Sequence, residues 1–170
     1  MIQLPYGTSF VDVRLAQLPY DIVDCPSADP SLPRDDPAHA LDRPIASPPL
    51  EALARGRRSA VILISDATRL CPSAEFLELL VDRLNRGGIA DEHIRIIVAL
   101  GAHRRQTPEE LRRLAGRGVF ERVRVLNHSA QPEDCVRVGV TSRGTPVEIN
   151  RLVVEADLRI ATGNIEPHRL

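Results

Sequence analysis

The chain has 170 residues, of which 43% are hydrophobic and 26% charged, a composition that favours one globular domain with a real hydrophobic core. Its 22 basic residues nearly balance 23 acidic ones, and a net charge of -1 argues against nucleic acid or an anionic membrane as a partner. The three cysteines have neither zinc-site nor disulfide-framework spacing, and the chain lacks a secretory signal or an apolar stretch of membrane-spanning length, so we expect a cytoplasmic protein.

The first fifty residues contain two weak strand patterns and a proline-rich segment. Residues 8–14 and 18–23 alternate loosely between apolar and polar, as short strands of a hairpin or a sheet edge do. Half of the chain's 14 prolines fall between about residues 25 and 49, which predicts an extended connector. A short helix is expected directly after Pro49.

From residue 59 onwards, strand patterns alternate with helix patterns. Strands are predicted over 59–65, 94–100, 122–126, 135–140 and 157–163. Helices are predicted over 74–86 with Ser73 as N-cap, from the capping box Thr107–Glu110 to about Ala115, and from Asn150 to Glu155. Strands that alternate with helices imply right-handed crossovers and a mainly parallel sheet. The sequence therefore predicts an α/β, Rossmann-like fold, with helices flanking the sheet and an antiparallel hairpin inserted at 135–149.

Unusual polar residues follow three of the predicted strands. They occur in the segments 66–69, 101–104 and 164–168. Ligands bind outside the carboxyl ends of strands in open α/β sheets, so these segments are expected to share one crevice. His103 and His168 could act in turn as base and acid, while Arg69 offers a planar fork for a substrate carboxylate. A small 2-hydroxy or 2-keto acid fits this set.

Each of these residues also has an ordinary structural interpretation. Asp66 could form an Asx-turn or cap a helix, and Arg69 could form a surface ion pair. A single histidine after a strand, such as His103, is more often a loop residue than a catalyst. The segment 127–129 also follows a strand and could bind a ligand or form a polar turn. The sequence contains no zincin, α/β-hydrolase, P-loop or dinucleotide fingerprint.

Four short motifs together resemble the amino-terminal domain of the lactate racemase family that uses a nickel-pincer nucleotide. They are S-D-A-T-R at 65–69, G-A-H-R at 101–104, G-V-T-S-R-G-T-P-V-E-I-N at 139–150 and T-G-N-I-E-P-H at 162–168. The motifs follow the family's order and extend over about 100 residues. The resemblance therefore implies a racemase or epimerase of a small, lactate-like 2-hydroxy acid.

The resemblance also implies roles for individual residues. His103 and His168 would be the two acid/base histidines that flank the substrate, each taking the hydroxyl proton of one enantiomer while the cofactor accepts the hydride. Arg69 would hold the substrate carboxylate, with Asp66 beside it. Weaker expectations place Thr68 and Gly101 at the cofactor.

The cofactor implied by the resemblance cannot be tethered to this chain. The family attaches the nickel-pincer nucleotide to a lysine, whereas every basic residue here is arginine, and no metal ligand is expected within the chain. Residues 1–170 would then be a partial amino-terminal catalytic domain whose carboxy-terminal partner domain is missing, and the isolated chain is expected to be inactive. Two alternatives stay open: a cofactor-free two-histidine isomerase or lyase, and a non-catalytic anion-binding domain.

Overall fold

The computed structural model describes residues 2–7, 9–14, 19, 21, 36–69 and 71–165. These residues belong to two compact units, Met1–Arg34 and Asp35–Leu170. Among the helices formed by the described residues, none is both long enough and apolar enough to cross a membrane.

An antiparallel hairpin forms the described part of the first unit. Its strands are β1 (Ile2–Tyr6) and β2 (Ser9–Val13). Gly7 lies in the turn with φ of 60°, a left-handed conformation that glycine adopts without steric cost. The strand predicted over 8–14 is confirmed as β2, but its partner precedes it in the chain. The strand predicted over 18–23 lies outside the described residues except at positions 19 and 21.

A four-stranded parallel sheet forms the centre of the second unit. The described strands of this unit are β3 (Ala60–Ser65), β4 (Ile94–Ala99), β5 (Arg124–Asn127), β6 (Cys135–Val140), β7 (Pro146–Asn150) and β8 (Leu158–Ala161). The sheet has the order β5-β4-β3-β8, with all neighbours parallel, while β6 and β7 form a separate antiparallel hairpin. The predicted α/β class, with a mainly parallel sheet and an antiparallel hairpin insert, is confirmed.

Helices flank the sheet. The described α-helices are α1 (Pro37–Asp42), α2 (Leu50–Ala54), α3 (Ser73–Arg86), α4 (Pro108–Ala115), α5 (Arg117–Arg122) and α6 (Arg151–Glu155). On what we call the first face of the sheet, Ile62, Ile64 and Val98 are buried in the main core, which also includes Leu77 of α3 and Leu114 of α4. Because side chains alternate along a strand, Ile62, Ile64 and Val98 point to the same side of the sheet.

On the opposite side of the sheet, which we call the second face, fewer residues pack against the strands. Val61 and Ile97 are buried there together with Ala156, and Leu63 and Val153 of α6 pack against them only partly buried. Side chains on the second face nearer the carboxyl ends of the strands are less covered, and Ala99 at the end of β4 is exposed. The second face therefore opens toward the strand ends.

Local capping signals define where two helices begin. The Thr107 hydroxyl accepts a hydrogen bond from the Glu110 backbone N–H at 3.2 Å, and the Glu110 carboxylate accepts one from the Thr107 N–H at 2.8 Å. This confirms the predicted capping box of α4. Asn150 caps α6 as predicted, since its side-chain oxygen accepts from the Leu152 N–H at 3.0 Å.

Three local expectations were wrong. The predicted connector contains α1, which begins with Pro37 and is capped by the side chain of Asp36. The strand predicted over 122–126 begins only at Arg124, because the preceding segment forms α5, in which Val119 is only 2% exposed and helps complete the core. Ser73 is the first residue of α3 rather than its N-cap, and it makes no capping hydrogen bond.

Candidate functional site

Two neighbouring strands bring the candidate residues to the same edge of the sheet. β3 and β4 are parallel and in register, with Ser65 opposite Ala99 at their carboxyl ends. The chain after β3 reaches Asp66 directly. The chain after β4 turns at Gly101, whose φ is 56°, and the His103 N–H donates to the Leu100 carbonyl at 2.9 Å. The turn returns His103 toward the end of β3.

A hydrogen-bonded triad of Thr68, Asp66 and His103 results. The Asp66 Oδ2 atom lies 2.5 Å from His103 Nδ1. The other carboxylate oxygen, Oδ1, accepts from the Thr68 hydroxyl at 2.6 Å and from the Thr68 backbone N–H at 3.0 Å. Both oxygens of Asp66 therefore accept hydrogen bonds, and the Asx-turn that was one structural interpretation of Asp66 is present together with the histidine contact.

Electrostatics keep the Asp66 carboxyl ionised. Its side chain is only 2% exposed, and this burial on its own would raise its pKa. The hydrogen bonds from Thr68 and His103 outweigh burial, so that the pKa of Asp66 lies below its ordinary value. An ionised carboxylate accepts a hydrogen bond, which places the proton of the imidazole on Nδ1. The Nε2 atom of His103, on a side chain that is 45% exposed, is then the ring nitrogen available to a ligand.

A cleft of about 260 Å³ lies at these strand ends. Asp66, Arg69 and His103 line it together with Gly101. The structure thus brings four of the candidate residues named from the sequence to one cleft. Arg69 and His103 therefore lie at the same edge of the sheet and line the same space.

Sequence reasoning assigned no role to two further polar residues of the cleft. Ser65, the last residue of β3, and Thr162, just after β8, also line the cleft. Thr162 donates its hydroxyl to the Leu63 carbonyl at 3.0 Å, which fixes the segment after β8 to β3. Ser65 could have been found from strand alternation, because it lies two residues after Leu63 on the second face. A serine at the end of a buried strand is otherwise unremarkable in sequence.

The other sequence candidates are placed as follows. His168 lies outside the described residues, so its proposed role as the second histidine stays a prediction. Thr68 donates its hydroxyl to Asp66, and its expected contact with a cofactor likewise stays a prediction. Asn127 exchanges hydrogen bonds with the Gln106 backbone, 2.8 Å to its N–H and 3.0 Å to its carbonyl, so its side chain supports the entry to α4. His128 lines a second cavity, which lies on the second face of the sheet.

The residues that the structure describes offer no metal centre. No group of three or more His, Cys, Asp or Glu side chains within that part of the chain is placed to hold a metal ion. Lysine is absent from the whole sequence. The cleft therefore provides a carboxylate-supported imidazole and a guanidinium, which are groups for moving a proton and binding an anion.

Known proteins share this part of the fold. A family described as the lactate racemase N-terminal domain matches residues 7–170. The lactate racemase of Thermoanaerobacterium thermosaccharolyticum is 38% identical over 130 residues, which cover 76% of this chain and 30% of the relative. The lactate racemase of Lactiplantibacillus plantarum is 41% identical over 130 residues, with the same two coverages of 76% and 30%.

A solved structure agrees with the sequence relatives. The apoprotein structure of the Thermoanaerobacterium thermosaccharolyticum lactate racemase superposes with a TM-score of 0.72 and 36% identity, over 78% of this chain and 32% of that chain. This chain spans about 30% of the length of the curated relatives that it matches. The family match over nearly all of the chain, together with this structural agreement, shows that the chain belongs to the lactate racemase N-terminal domain family.

Proposed function

We propose that the protein carrying this chain is a racemase or epimerase of a small, lactate-like 2-hydroxy acid. The observation that carries the proposal is the contact between the Asp66 carboxylate and His103 Nδ1, in a cleft that Arg69 also lines. The relatives at 38% and 41% identity are both lactate racemases, which supports the same reaction class. In this proposal the chain supplies a base and a carboxylate-binding group.

His103 is assigned the transfer of the substrate hydroxyl proton. Asp66 holds Nδ1 and stabilises the imidazolium that forms, so Nε2 can accept the hydroxyl proton and return it. In a 2-hydroxy acid, the hydroxyl and the carboxylate are attached to adjacent carbons. One small molecule in the 260 Å³ cleft can therefore present its hydroxyl to His103 and its carboxylate to Arg69.

A racemase needs a proton-transfer group for each enantiomer. We assign the second role to His168, which follows the last strand of the sheet in sequence. This assignment rests on the resemblance of the motif at 162–168 to the family, since His168 lies outside the described residues. The proposal accordingly assigns His103 from geometry and His168 from sequence.

The resemblance to the family implies a nickel-pincer nucleotide, a cofactor whose chemistry, when bound, would be hydride transfer. The residues of this chain do not fit the binding of that group, because lysine is absent from the sequence and the described part of the chain has no metal-ligand cluster. No step is therefore assigned to the cofactor here. The described residues bind the carboxylate and move a proton at the hydroxyl oxygen.

The test is the interconversion of L- and D-lactate by the protein isolated with its cofactor, using lactate deuterated at C2 in ordinary water. Hydride transfer keeps the label at C2, whereas proton abstraction by a cofactor-free pair of histidines exchanges it with solvent. We expect racemisation with retention of the label and a loss of at least about 100-fold in rate for His103→Ala. Exchange of the label would favour the cofactor-free isomerase, and binding without turnover would favour an anion-binding domain.

A further inference from the structure

A second cavity lies beside the cleft, on the second face of the sheet. It has a volume of about 390 Å³, and we call it the second-face cavity. Its lining includes the apolar side chains Leu63, Ile97, Ala99, Ile149 and Val153. We propose that this cavity receives the apolar side chain of the 2-hydroxy acid, so that the preferred substrate carries a side chain larger than the methyl group of lactate. This inference rests on the proposed function.

The first argument is continuity with the cleft. Leu63, Ala99 and Gly101 line both the cleft and the second-face cavity. In the parallel register, Leu63 lies opposite Ile97 and Ser65 lies opposite Ala99, so their side chains share the second face. A ligand that reaches His103 in the cleft can therefore extend along this face without crossing the backbone of the sheet.

The second argument is the small size of the residues where the two spaces meet. Ala99 is exposed, and Gly101 has no side chain. A Cβ atom added at Gly101 would meet no heavy atom within 4 Å, so the space beside this residue is open. The third substituent on C2 of a bound 2-hydroxy acid, after the hydroxyl and the carboxylate, can pass through this opening.

The third argument is the chemistry of the walls. Apolar side chains dominate the lining, and Val153 and Ile149 come from α6 and β7, outside the parallel sheet. The polar lining residues are His128, Glu148, which is exposed, and Asn150. Asn150, a polar lining residue, already uses its side chain to accept from the Leu152 N–H and to donate to the Ser129 carbonyl at 3.2 Å. Burial of apolar area is therefore the main interaction that the cavity offers.

Volume decides between a small and a large side chain. A methyl group is about the size of one water molecule, whose share of liquid volume is about 30 Å³. A branched aliphatic or benzyl group fills more of the 390 Å³ cavity than a methyl group does, and it buries more apolar surface against Leu63, Ile97 and Val153. We therefore expect the substrate class to be 2-hydroxy acids with branched aliphatic or aromatic side chains.

The experiment is an NMR titration of the full chain with three acids that differ only in the side chain. They are lactate, 2-hydroxy-4-methylpentanoate and 3-phenyllactate. Each buried methylene strengthens binding by about fourfold, so the two larger acids are expected to bind at least about tenfold more tightly than lactate. Chemical-shift changes should include the backbone amides of Ile97 and Val153, which line only the second-face cavity, for the larger acids only.

Val153→Phe tests whether the cavity causes this preference. The added ring would occupy the second-face cavity, and the ratio of affinities between 3-phenyllactate and lactate should fall toward one. Val138→Phe is the matched control, because Val138 is 52% exposed on β6 and does not line the cavity. Ile149→Phe provides a second filling variant at a residue that is 36% exposed, in case Val153→Phe does not fold.

The outcomes separate this inference from the proposed function. Arg69→Ala should weaken the binding of all three acids. If the acids bind in an Arg69-dependent way with equal affinity, or if the filling variants leave the preference intact, the side-chain cavity is ruled out and the proposed function stands. If none of the acids binds, or Arg69→Ala changes nothing, both proposals are overturned.

Discussion

The carboxylate of Asp66 and the imidazole of His103 meet at 2.5 Å between Oδ2 and Nδ1, although they are 37 residues apart in sequence. The Asp66 side chain is almost completely buried, while the His103 side chain, which lines the cleft, is 45% exposed. A buried carboxylate behind a partly exposed imidazole fixes the orientation of the ring and the nitrogen that carries its proton.

Asp66→Asn should prevent His103 Nε2 from accepting the substrate proton, while it keeps a side chain of the same size at position 66. The amide oxygen can still accept from Thr68, but the amide nitrogen then faces His103 Nδ1 and donates to it. The ring proton moves to Nε2, which can no longer accept the substrate proton. We expect kcat to fall by about two to four orders of magnitude, with ¹⁵N NMR reporting the change of tautomer. A normal rate with an unchanged tautomer would contradict the proposed pairing.

Asp66→Asn should also change how the free energy of unfolding depends on pH. The folded-state pKa of Asp66 lies below its ordinary value of 3.8, because hydrogen bonds from Thr68 and His103 outweigh the effect of burial. Its ionised form therefore stabilises the fold above about pH 4. The difference in free energy of unfolding between wild type and Asp66→Asn should shrink as the pH falls below that value, as urea denaturation at several pH values can measure.

Thr68→Val and Thr68→Ser test whether Thr68 positions Asp66 or contacts the cofactor. Valine keeps the shape but removes the hydroxyl that donates to Asp66 Oδ1 at 2.6 Å, so kcat should fall by about tenfold, the value of one hydrogen bond to a charged group. Serine keeps the hydroxyl and should restore most of the rate. Loss of bound cofactor in Thr68→Val, with a normal His103 tautomer, would instead support the cofactor contact expected from sequence.

The fold could be predicted from sequence because its signals are local. β3 is a continuous apolar run, and Thr107 begins α4 with a capping box that can be found within four residues. α1 and α5 each have only six residues, too few for a helical periodicity to show. They form because Asp36 caps one and because Val119 in the other completes the core.

The site was only partly predictable. Parallel neighbouring strands end at one edge, so the meeting of Asp66, Arg69 and His103 followed from the strand assignment. The hydrogen bond between Asp66 and His103 depends on two loop turns, one of them at Gly101, and no sequence pattern specifies how far they bring the side chains together. The resemblance placed Asp66 beside Arg69 as a residue that orients the site, and the structure adds its contact with His103.

Arg69→Ala should weaken carboxylate binding. A charge-assisted hydrogen bond contributes about 1.5–3 kcal/mol, so Kd or KM for lactate should rise by about 10- to 100-fold. Arg69→Lys keeps the charge but loses the planar fork, and should give an intermediate value. Lactamide, which lacks the carboxylate, should bind equally to wild type and Arg69→Ala. A variant that loses kcat while its KM is unchanged would count against the binding role.

Glu110→Gln should change acid stability without breaking the capping box. Pairing with Arg104 and the hydrogen bond from the Thr107 N–H lower the pKa of Glu110 to about 2, from an ordinary value of 4.5. The carboxylate thus stabilises the fold above about pH 4.5, and this contribution is lost as the pH falls toward 2. Glutamine still accepts from Thr107 but lacks the charge, so its stability should vary less over that range. Glu121→Gln, at a side chain that is 54% exposed, is the matched control.

Arg122→Met should destabilise the junction between α3 and α5. Arg122 donates to Asp91 at 3.0 Å, to Asp82 at 2.9 Å and to the Asn85 side-chain oxygen at 2.8 Å. Methionine keeps the apolar stem but leaves these acceptors without the guanidinium, at a cost of about 1–2 kcal/mol after solvent screening. Arg117→Met removes an ion pair from a side chain that is 82% exposed, and it should leave the unfolding midpoint unchanged.

Because Arg122 also lowers the pKa of Asp91, the destabilisation by Arg122→Met should be largest at neutral pH and decrease below about pH 4. Equal unfolding midpoints for the two variants at pH 7 would show that the junction is held by apolar packing alone.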